Sequence, residues 1–372
     1  MMDDKVIVIN YTGRRGAGNL AAYEISKALT ENGFKVIPII SSNIENIEMW
    51  KSVNFEKLVI VNTYNNKLSF LVNTLLFPVK TAPRIRKELK GVSIMAVYCP
   101  MLTLWSDRIN SLFNNSKVIM AIHDPIPHSG TSGILKYFNR KRAIYDAVVV
   151  HSKVYVKQIS KIRNTNEKVY YIPLGLLNVY RDIDNKKSII EYDDSKTNFV
   201  FFGRIEKYKG LDILADAWQE LQKKYQDKIT LSIIGSGDFS PYIDKYKGFN
   251  NVRIINRWIY DEEVESVFVG DNLICVCPYR DGTQSGVILT ALDYGVPSIA
   301  TNTGGISEQV VDGETGKLIS PNSVKELYDS MEEFIIDKDR LSVMKKEISN
   351  YKKYISWDKS AGELIKVIED VS

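Results

Sequence analysis

The sequence predicts an α/β protein with two doubly wound, Rossmann-like domains in tandem, facing each other across a cleft. Short runs of β-branched and apolar residues alternate with helical segments along most of the 372 residues. The strands are apolar at consecutive positions, as parallel strands buried on both faces require. A polar, charged stretch at 178–196 interrupts this alternation, which then resumes. Because ligands of such domains bind beyond the carboxyl ends of the strands, we expect a site between the two domains.

The first domain is predicted at residues 1–177. Its first strand is followed by a helix that is expected from about Asn19 to Asn32. The predicted strands are KVIVIN, KVIPII, LVIVN, VSIMAVY, KVIMAI, AVVVHS and KVYYIPL.

The second domain is predicted at residues 197–355, with residues 178–196 interpreted as a linker. Its predicted strands are NFVFFGRI, ITLSIIG, NVRIIN, LICVCP and VPSIAT. Helices are expected near residues 211–225, 261–268, 323–337 and 339–351. A last amphipathic helix is predicted within residues 356–372, beginning near Trp357.

Composition favours a cytoplasmic protein. The N-terminus MMDDKVIVIN lacks the basic and apolar regions of a signal peptide. The most apolar window, Leu68 to Val79, is shorter than the about 18 apolar residues that a spanning helix needs, and polar residues interrupt it. Three cysteines do not form a disulfide framework and are expected to be free thiols.

Charge is distributed unevenly along the chain. Residues 1–184 carry 25 Lys and Arg against 14 Asp and Glu, a balance of +11, and the remainder carries 24 against 31, a balance of −7. The basic residues bunch at 80–90 and at 136–142. Such clusters could attract an anionic membrane or acceptor, or they could be solvated helix surfaces. A nucleic-acid partner is not expected.

The segment Pro278 to Glu308 is the most informative part of the sequence. A strand ends before it, and a helix is predicted whose first turn contains Gln284 to Val287. A second helix is predicted to start at Gly304 and Gly305. Two helix N-termini at one edge of a parallel sheet would direct free N–H groups and positive dipole ends at one point, which suits a diphosphate.

Cations follow the first strand of the second domain. That strand ends at Gly203, and Arg204 and Lys209 lie on the connection to the next helix. Two cations at this edge could neutralise a diphosphate as it departs, or they could be ordinary loop residues. In the first domain, His123 follows the strand KVIMAI, where it could accept a proton or bind a sugar hydroxyl, or be a loop histidine satisfied by the backbone.

A glycine-rich loop, TGRRGAGNL, follows the first strand of the chain. It could let a phosphate approach the backbone at Gly16, or be a tight strand-to-helix turn. Its spacing departs from the dinucleotide fingerprint, and Ser41 stands where an acid would hold a ribose, so a dehydrogenase is disfavoured. The acidic pair Asp182 and Asp184 lies in the polar stretch and is interpreted as a solvated charge run, and no metal site is expected.

The stretches GRIEKYKG, IIGSGD, PYRDGTQSGV, DYGVPSIATNTGGISEQVVDGETGKLI and ISW resemble the retaining glycosyltransferases of family 4, glycosyl transferases group 1. The resemblance is specific mainly from Phe201 to Ser320. It implies the GT-B fold, with an N-terminal domain for the acceptor and a C-terminal domain for the nucleotide-sugar donor. It also implies that the last helix crosses back to the first domain.

The resemblance implies catalytic roles for Arg204 and Lys209, as cations on the donor diphosphate, and for His123, near the transferred sugar. It implies donor-binding roles for Gly16, Gly203, Asp281, Thr283, Gln284, Ser285, Gly286, Val287, Thr290 and Glu308. The family often carries two glutamates eight positions apart. Here Thr290 stands at the second position and Asp281 lies near the first. Glu308 is either near the donor or an acid favoured by a helix dipole.

The predicted function is transfer of a sugar, with retained configuration and without a metal or other cofactor, from a nucleoside-diphosphate sugar to a hydroxyl. The acceptor is expected to be a glycan or a lipid-linked molecule in surface polysaccharide or glycoconjugate synthesis. The basic first domain suggests peripheral contact with the inner face of the cell membrane. The alternatives are a sugar-nucleotide epimerase or hydrolase of the same fold, and a non-catalytic nucleotide-sugar-binding protein.

Overall fold

The computed structural model describes residues 5–125, 145–163 and 169–372. These residues form two compact units. The first unit contains the described residues up to 175 and residues 356–372, and the second contains residues 176–355. This division places the C-terminal segment with the first unit, and it places the predicted linker, residues 178–196, with the second.

The described part of the first unit contains a seven-stranded parallel sheet in the order β3-β2-β1-β4-β5-β6-β7. The interior strand β1 is buried along its whole length, which its apolar run predicts. The doubly wound order confirms the predicted fold class. The strands are β1 (Val6–Tyr11), β2 (Lys35–Ser41), β3 (Val59–Val61), β4 (Ile94–Cys99), β5 (Lys117–Ile122), β6 (Ala147–Val150) and β7 (Val169–Tyr171).

Helices connect the strands of this sheet. A π-helical turn at Phe77–Thr81 joins the third helix to the fourth. The described helices before the second unit are α1 (Ala17–Glu31), α2 (Ile47–Ser52), α3 (Lys67–Leu76), α4 (Ala82–Glu88), α5 (Ser106–Asn110) and α6 (Val156–Arg163). Within the described residues of the whole chain, we find no helix with both the length and the apolar character needed to cross a membrane.

The second unit contains a six-stranded parallel sheet in the order β10-β9-β8-β11-β12-β13. Its strands are β8 (Thr197–Phe202), β9 (Ile229–Gly235), β10 (Val252–Asn256), β11 (Leu273–Cys277), β12 (Ser298–Thr301) and β13 (Gly316–Ile319). Since β8 pairs with β11 and β11 pairs with β12, the connections that follow these three strands lie side by side at one edge.

The helices of the second unit are α7 (Leu211–Tyr225), α8 (Ile243–Tyr246), α9 (Asp261–Phe268), α10 (Gly286–Asp293), α11 (Val324–Ile336) and α12 (Lys338–Tyr351). The helix predicted near residues 284–293 begins two residues later than expected, at Gly286. The segment predicted as a second helix start is a short 3₁₀ turn, Gly304–Glu308, and not an α-helix.

The last helix, α13 (Trp357–Val371), packs on the first unit. Ser356 caps it, and the Ser360 hydroxyl donates to the Pro173 carbonyl at 2.6 Å. The Trp357 ring lies against Gly175, where a Cβ would come within 2.6 Å of it. These contacts confirm the helix that the sequence predicts near Trp357.

The predicted linker is fastened to the second unit by ion pairs. Arg181 contacts the buried Asp293 at 2.6 Å, and Lys186 and Lys187 contact Glu265 and Glu262 of α9 at 2.6 and 3.0 Å. The predicted linker thus lies against α9 and α10 of the second unit. Three basic side chains of this segment pair with acids of these helices, and the polar composition of the segment does not predict those ion pairs.

Candidate functional site

Gly203 brings the connection after β8 close to the start of α10. Its φ of +114° lies in a region that side chains other than glycine rarely adopt. A Cβ placed there would lie 3.4 Å from a methyl group of Val287. The predicted residues Gly203 and Val287 are thus neighbours at the carboxyl edge of this sheet.

Lys209 is a buried cation at the same edge. It closes a 3₁₀ turn, Lys207–Lys209, and its side-chain nitrogen lies 3.7 Å from the centre of the Tyr279 ring. Burial, with a smaller contribution from Arg204 and against the opposing charges of Cys277 and Glu206, lowers the pKa of Lys209 to about 8. The ammonium contacts an aromatic ring in place of water, so a bound anion would stabilise its charged form.

Gly210 makes this position of Lys209 possible. Its φ is +72°, and a Cβ would lie 2.0 Å from the carbonyl oxygen of Pro278. The backbone N–H of Arg280 donates to the Tyr208 carbonyl at 2.7 Å. The connections after β8 and β11 are therefore joined backbone to backbone, which fixes Lys209 against Tyr279.

Arg204 differs from Lys209 in its exposure. Its side chain is 65% exposed and forms an ion pair with Glu206 at 2.7 Å. Solvent screens such a pair, so it contributes little to stability. Arg204 is therefore free to reorient toward a ligand, whereas Lys209 is fixed.

The start of α10 presents backbone donors at this edge. Ser285 is the N-cap residue, and its side chain makes no capping hydrogen bond. The N–H groups of the first helical turn have no partner within the helix, so Gly286 and Val287 lie where a helix start can bind an anion. Glycine at 286 also allows a ligand close to the backbone.

Gln309 holds the helix start in place, and the sequence analysis missed it. Its amide oxygen accepts from the Ser285 N–H at 2.8 Å, and its amide nitrogen donates to the Ser285 carbonyl at 3.2 Å. The Ser285 N–H is thus used within the protein. Gln309 follows the stretch GGISE, but no pattern in that stretch marks a side chain that reaches back across 24 residues.

The turn Gly304–Glu308 lies beside the loop before α10. The Gly305 N–H donates to the Thr283 carbonyl at 3.1 Å. Because this turn is a single 3₁₀ element, the predicted second helix dipole is wrong, and α10 supplies the helix start of this edge. Thr283 is buried, and Asp281, Gln284 and Glu308 are half-buried.

Thr290 lies inside α10, one turn beyond the backbone N–H groups of Gly286 and Val287. It is 2% exposed, and its hydroxyl donates to the Gly286 carbonyl at 2.9 Å. The structure therefore uses the Thr290 hydroxyl within the helix. It offers no carboxylate at the position where the resemblance implies one.

In the first unit, Gly16 caps α1. Its φ is +81°, and its carbonyl accepts from the Asn19 N–H at 2.8 Å. Two further glycines of this loop are closely packed, since a Cβ at Gly13 or Gly18 would collide with Tyr11 or Met101. The loop is therefore a tight strand-to-helix turn that ends at the half-buried Gly16.

His123 follows β5 and forms a pair with His151, which follows β6. Their ring centres lie 4.5 Å apart. A nitrogen of His123 contacts the Pro100 carbonyl at 2.7 Å, and one of His151 contacts the Ile172 carbonyl at 2.8 Å. Burial lowers the pKa of both, that of His151 to about 3, so both rings are neutral at pH 7. A small pocket lies between this pair and α13.

The structure brings most of the predicted second-unit residues together around Lys209 and the start of α10. It places Gly16 and His123 at the carboxyl edge of the first sheet. The next histidine along the chain, His128, lies outside the described residues, as do the basic residues at 136–142. Among the described residues, no group of three or more His, Cys, Asp or Glu side chains could hold a metal ion.

Two doubly wound parallel sheets and a cationic edge beside an open helix start define the chain as a protein of the GT-B fold. HepE of Anabaena, solved with UDP and glucose, superposes with a TM-score of 0.70 at 15% identity, over 98% of this chain and 100% of that one. WaaG, described as a glycosyltransferase involved in lipopolysaccharide biosynthesis, superposes with a TM-score of 0.64 at 14% identity, over 98% and 99%.

Residues 196–337 match the family described as glycosyl transferases group 1. This stretch contains every predicted site residue of the second unit. Within this stretch the match agrees with the resemblance to glycosyl transferases group 1 that the sequence predicts.

Relatives of known sequence extend this likeness. An uncharacterized glycosyltransferase of Methanocaldococcus jannaschii is 27% identical over 229 residues, which are 60% of this chain and 58% of the relative. A D-inositol 3-phosphate glycosyltransferase of Corynebacterium aurimucosum is 25% identical over 178 residues, which are 46% of this chain and 42% of the relative. The matches thus span about half the length of these relatives.

Proposed function

We propose that this protein is a retaining glycosyltransferase of family 4 that transfers a sugar from a nucleoside-diphosphate sugar to a hydroxyl. The observation that carries the proposal is the buried Lys209 ammonium, held over Tyr279 beside Gly203 and the open start of α10. A fixed cation and free helix-start donors together match the two needs of a diphosphate, which are countercharge and hydrogen bonds.

In the proposed mechanism, Lys209, Arg204 and the N–H groups of Gly286 and Val287 bind the donor diphosphate. Negative charge grows on its leaving oxygen as the bond to the sugar breaks. Lys209 meets this charge in a site with little water, where the interaction is strong and needs no reorganisation. These groups supply the stabilisation that a divalent metal provides elsewhere, so the proposed reaction needs neither a metal nor another cofactor.

The proposed donor is supported by what similar proteins bind. HepE was solved with UDP-glucose, and the pneumococcal O-GlcNAc transferase GtfA was solved with UDP and GlcNAc. We propose that Asp281, Thr283, Gln284 and Glu308 contact the sugar part of the nucleotide sugar. These residues flank the N–H groups that are proposed to bind its diphosphate. Thr290 is assigned no ribose contact, since its hydroxyl is bound within α10.

We assign the acceptor to the first unit. The neutral His123 and the half-buried Gly16 lie at the carboxyl edge of its sheet, where we propose that they contact sugar hydroxyls. The net charge of +11 on residues 1–184 supports an anionic acceptor, such as a lipid-linked glycan in surface polysaccharide synthesis. We therefore propose that the protein works in the cytoplasm, in contact with the inner face of the membrane.

The first experiment is a thermal-shift screen of the purified protein against UDP-glucose, UDP-N-acetylglucosamine and matching GDP sugars. A donor at 100 times its dissociation constant should stabilise the protein by about 2.7 kcal/mol. The binding donor is then incubated with and without a panel of hydroxyl acceptors, and the released nucleotide is measured. Nucleotide release that requires acceptor, with an α-linked product from an α-linked donor, supports the proposal.

The other outcomes identify the alternatives. Equal nucleotide release with and without acceptor would assign a hydrolase or epimerase, in which water replaces the alcohol. Donor binding without turnover on any acceptor would assign a nucleotide-sugar-binding protein. If no sugar nucleotide shifts the melting temperature, the proposed donor site is wrong.

A further inference from the structure

An apolar stripe on α3 and the π-turn after it is exposed to solvent. Five large apolar side chains there have exposed fractions between 45% and 79%. Their spacing of three or four residues puts them on one face of a helix. We name them the α3 stripe: Leu68, Leu71, Val72, Leu75 and Val79.

The opposite face of α3 attaches the helix to the first unit. The Asn73 side chain donates to the Thr63 carbonyl at 2.5 Å, and the Trp105 indole donates to the Thr74 hydroxyl at 3.0 Å. The buried Phe77 ring packs edge to face on Trp105 at 5.3 Å. Because these contacts fix the orientation of α3, the stripe faces outward as part of the folded structure.

Cations surround the stripe. Between residues 67 and 90, six Lys and Arg side chains accompany one acid, Glu88. All six cations are exposed, and Glu88 pairs with Lys57 at 3.2 Å. The cations are Lys67, Lys80, Arg84, Arg86, Lys87 and Lys90. The exposed residues of α3, the π-turn and α4 thus carry a strong excess of positive charge.

We propose that the α3 stripe docks on an anionic lipid bilayer, with the helix lying in the plane of the interface. An apolar face flanked by Lys and Arg is what an interfacial helix needs, since the apolar side chains enter the acyl boundary and the cations meet lipid phosphates. A second copy of the chain is a poorer occupant, because it would bring two groups of six cations together. The inference rests on the proposed function only in taking the acceptor to be lipid-linked.

The test is sedimentation of the full chain with vesicles, without any donor or acceptor. We use vesicles of phosphatidylcholine with 30% phosphatidylglycerol, and vesicles of phosphatidylcholine alone. The protein should sediment with the anionic vesicles at low salt, bind at least about tenfold more weakly to the neutral ones, and lose binding as salt is raised.

Two variants and two matched controls assign the binding to this surface. Leu71→Asn with Leu75→Asn should weaken binding at least about tenfold, because two side chains no longer enter the apolar layer. Val269→Asn with Val343→Asn removes apolar side chains of similar exposure from the second unit and should leave binding unchanged.

Neutralising the cations tests the electrostatic part. Arg84→Gln, Arg86→Gln and Lys87→Gln together should weaken binding about 100-fold at low salt. Neutralising the exposed Lys157 and Lys161 together with Lys5 keeps the same change in net charge and should have a much smaller effect.

The proposal is overturned if the stripe variants bind as the unaltered protein does, or if neutral and anionic vesicles bind equally. It is also overturned if the unaltered protein forms a dimer in solution that Leu71→Asn with Leu75→Asn dissociates, since the stripe would then be a contact between copies. Circular dichroism and melting temperature identify variants that fail to fold, and for these Leu75→Gln alone replaces the pair. Donor binding by the stripe variants separates this outcome from failure of the proposed function.

Discussion

The carboxyl edges of the two sheets differ in the charge of their functional groups. In the second unit, the connections after β8 and β11 hold a buried ammonium, Lys209, against an aromatic ring. In the first unit, the connections after β5 and β6 hold two imidazoles that are neutral at pH 7. Both edges come from the same parallel architecture, so the fold provides the position and the side chains decide the chemistry. The second edge suits an anion, and the first suits neutral hydroxyls.

The largest expected effect comes from removing the buried charge. Lys209→Ala should lower kcat by about 100- to 1,000-fold, because it removes a fixed cation from the diphosphate leaving group. Lys207→Ala is the matched control, since Lys207 lies in the same 3₁₀ turn and is exposed. Initial rates with a saturating donor measure both variants.

Similar rates for Lys209→Ala and Lys207→Ala would contradict the contrast between the two sheet edges. They would show that turnover does not depend on whether the lysine is buried or exposed. Melting temperature and circular dichroism confirm that both variants are folded. Retention of donor binding by Lys209→Ala with loss of turnover would sharpen the comparison, since it would place the effect of the cation in the transition state.

The sequence predicts the strands and the longer helices well, because their signals are local. The helices Leu211–Tyr225 and Asp261–Phe268 have the predicted bounds, and β1 is buried as its apolar run requires. The position of Arg204 and Lys209 at the carboxyl edge of the sheet could be predicted from their place after a strand. The difference in exposure between these two side chains could not be predicted, since the burial of Lys209 depends on Tyr279 and on the close approach of Pro278.

Features that depend on distant partners could not be predicted. Gln309 reaches Ser285 across the loop before α10, and sequence spacing gives no sign of that contact. The Gly304–Glu308 turn has the glycines of a helix start, but it ends after five residues. The window from Leu68 to Val79 reads as an apolar segment, yet its inward face is anchored by Asn73, Thr74 and Phe77, and the leucines point to solvent.

The next effect concerns the backbone contact that positions Lys209. Gly210→Ala should lower the free energy of unfolding by about 2–4 kcal/mol, since a Cβ would strain a positive φ and collide with the Pro278 carbonyl. Gly295→Ala is the control, because Gly295 has a similar φ of +75° with no atom within 4 Å of the added Cβ. It should cost about 1 kcal/mol.

Denaturant titration of both glycine variants measures the difference. Equal losses would show that backbone strain alone matters and that the two loops can separate without cost. A larger loss for Gly210→Ala, accompanied by weaker donor binding, would sharpen the comparison by linking the joined loops to the buried cation.

The third effect is on the pH profile. Since the pKa of Lys209 is lowered to about 8, the charged form is lost as pH rises through that value. The kcat/KM for the donor should therefore fall about tenfold per pH unit above pH 8. Lys209→Arg should abolish this fall, because a guanidinium stays charged. Cys277→Ala is the control for the nearby thiol and should retain it.

For the pair His123 and His151 in the first unit, we predict that kcat/KM does not change as pH falls to neutral. Burial lowers the pKa of His123 below the usual histidine value and that of His151 to about 3, so both rings should stay neutral as pH falls from 8 to 7. A pH-dependent loss of kcat/KM in that range that disappears in His123→Gln would contradict the assignment of a neutral first edge.

The smallest effect expected here concerns Gln309, a positioning residue. Gln309→Leu removes both hydrogen bonds to the Ser285 backbone, so the start of α10 should loosen and the KM for the donor should rise about tenfold. Gln309→Glu keeps the acceptor for the Ser285 N–H and should give an intermediate value. Ser307→Ala, which alters a hydroxyl bound within the neighbouring turn, should leave KM unchanged. If Gln309→Leu lowers the melting temperature but leaves the affinity for the sugar nucleotide unchanged, the hydrogen bonds from Gln309 to Ser285 stabilise only the loop. The N–H groups at the start of α10 would then not depend on Gln309.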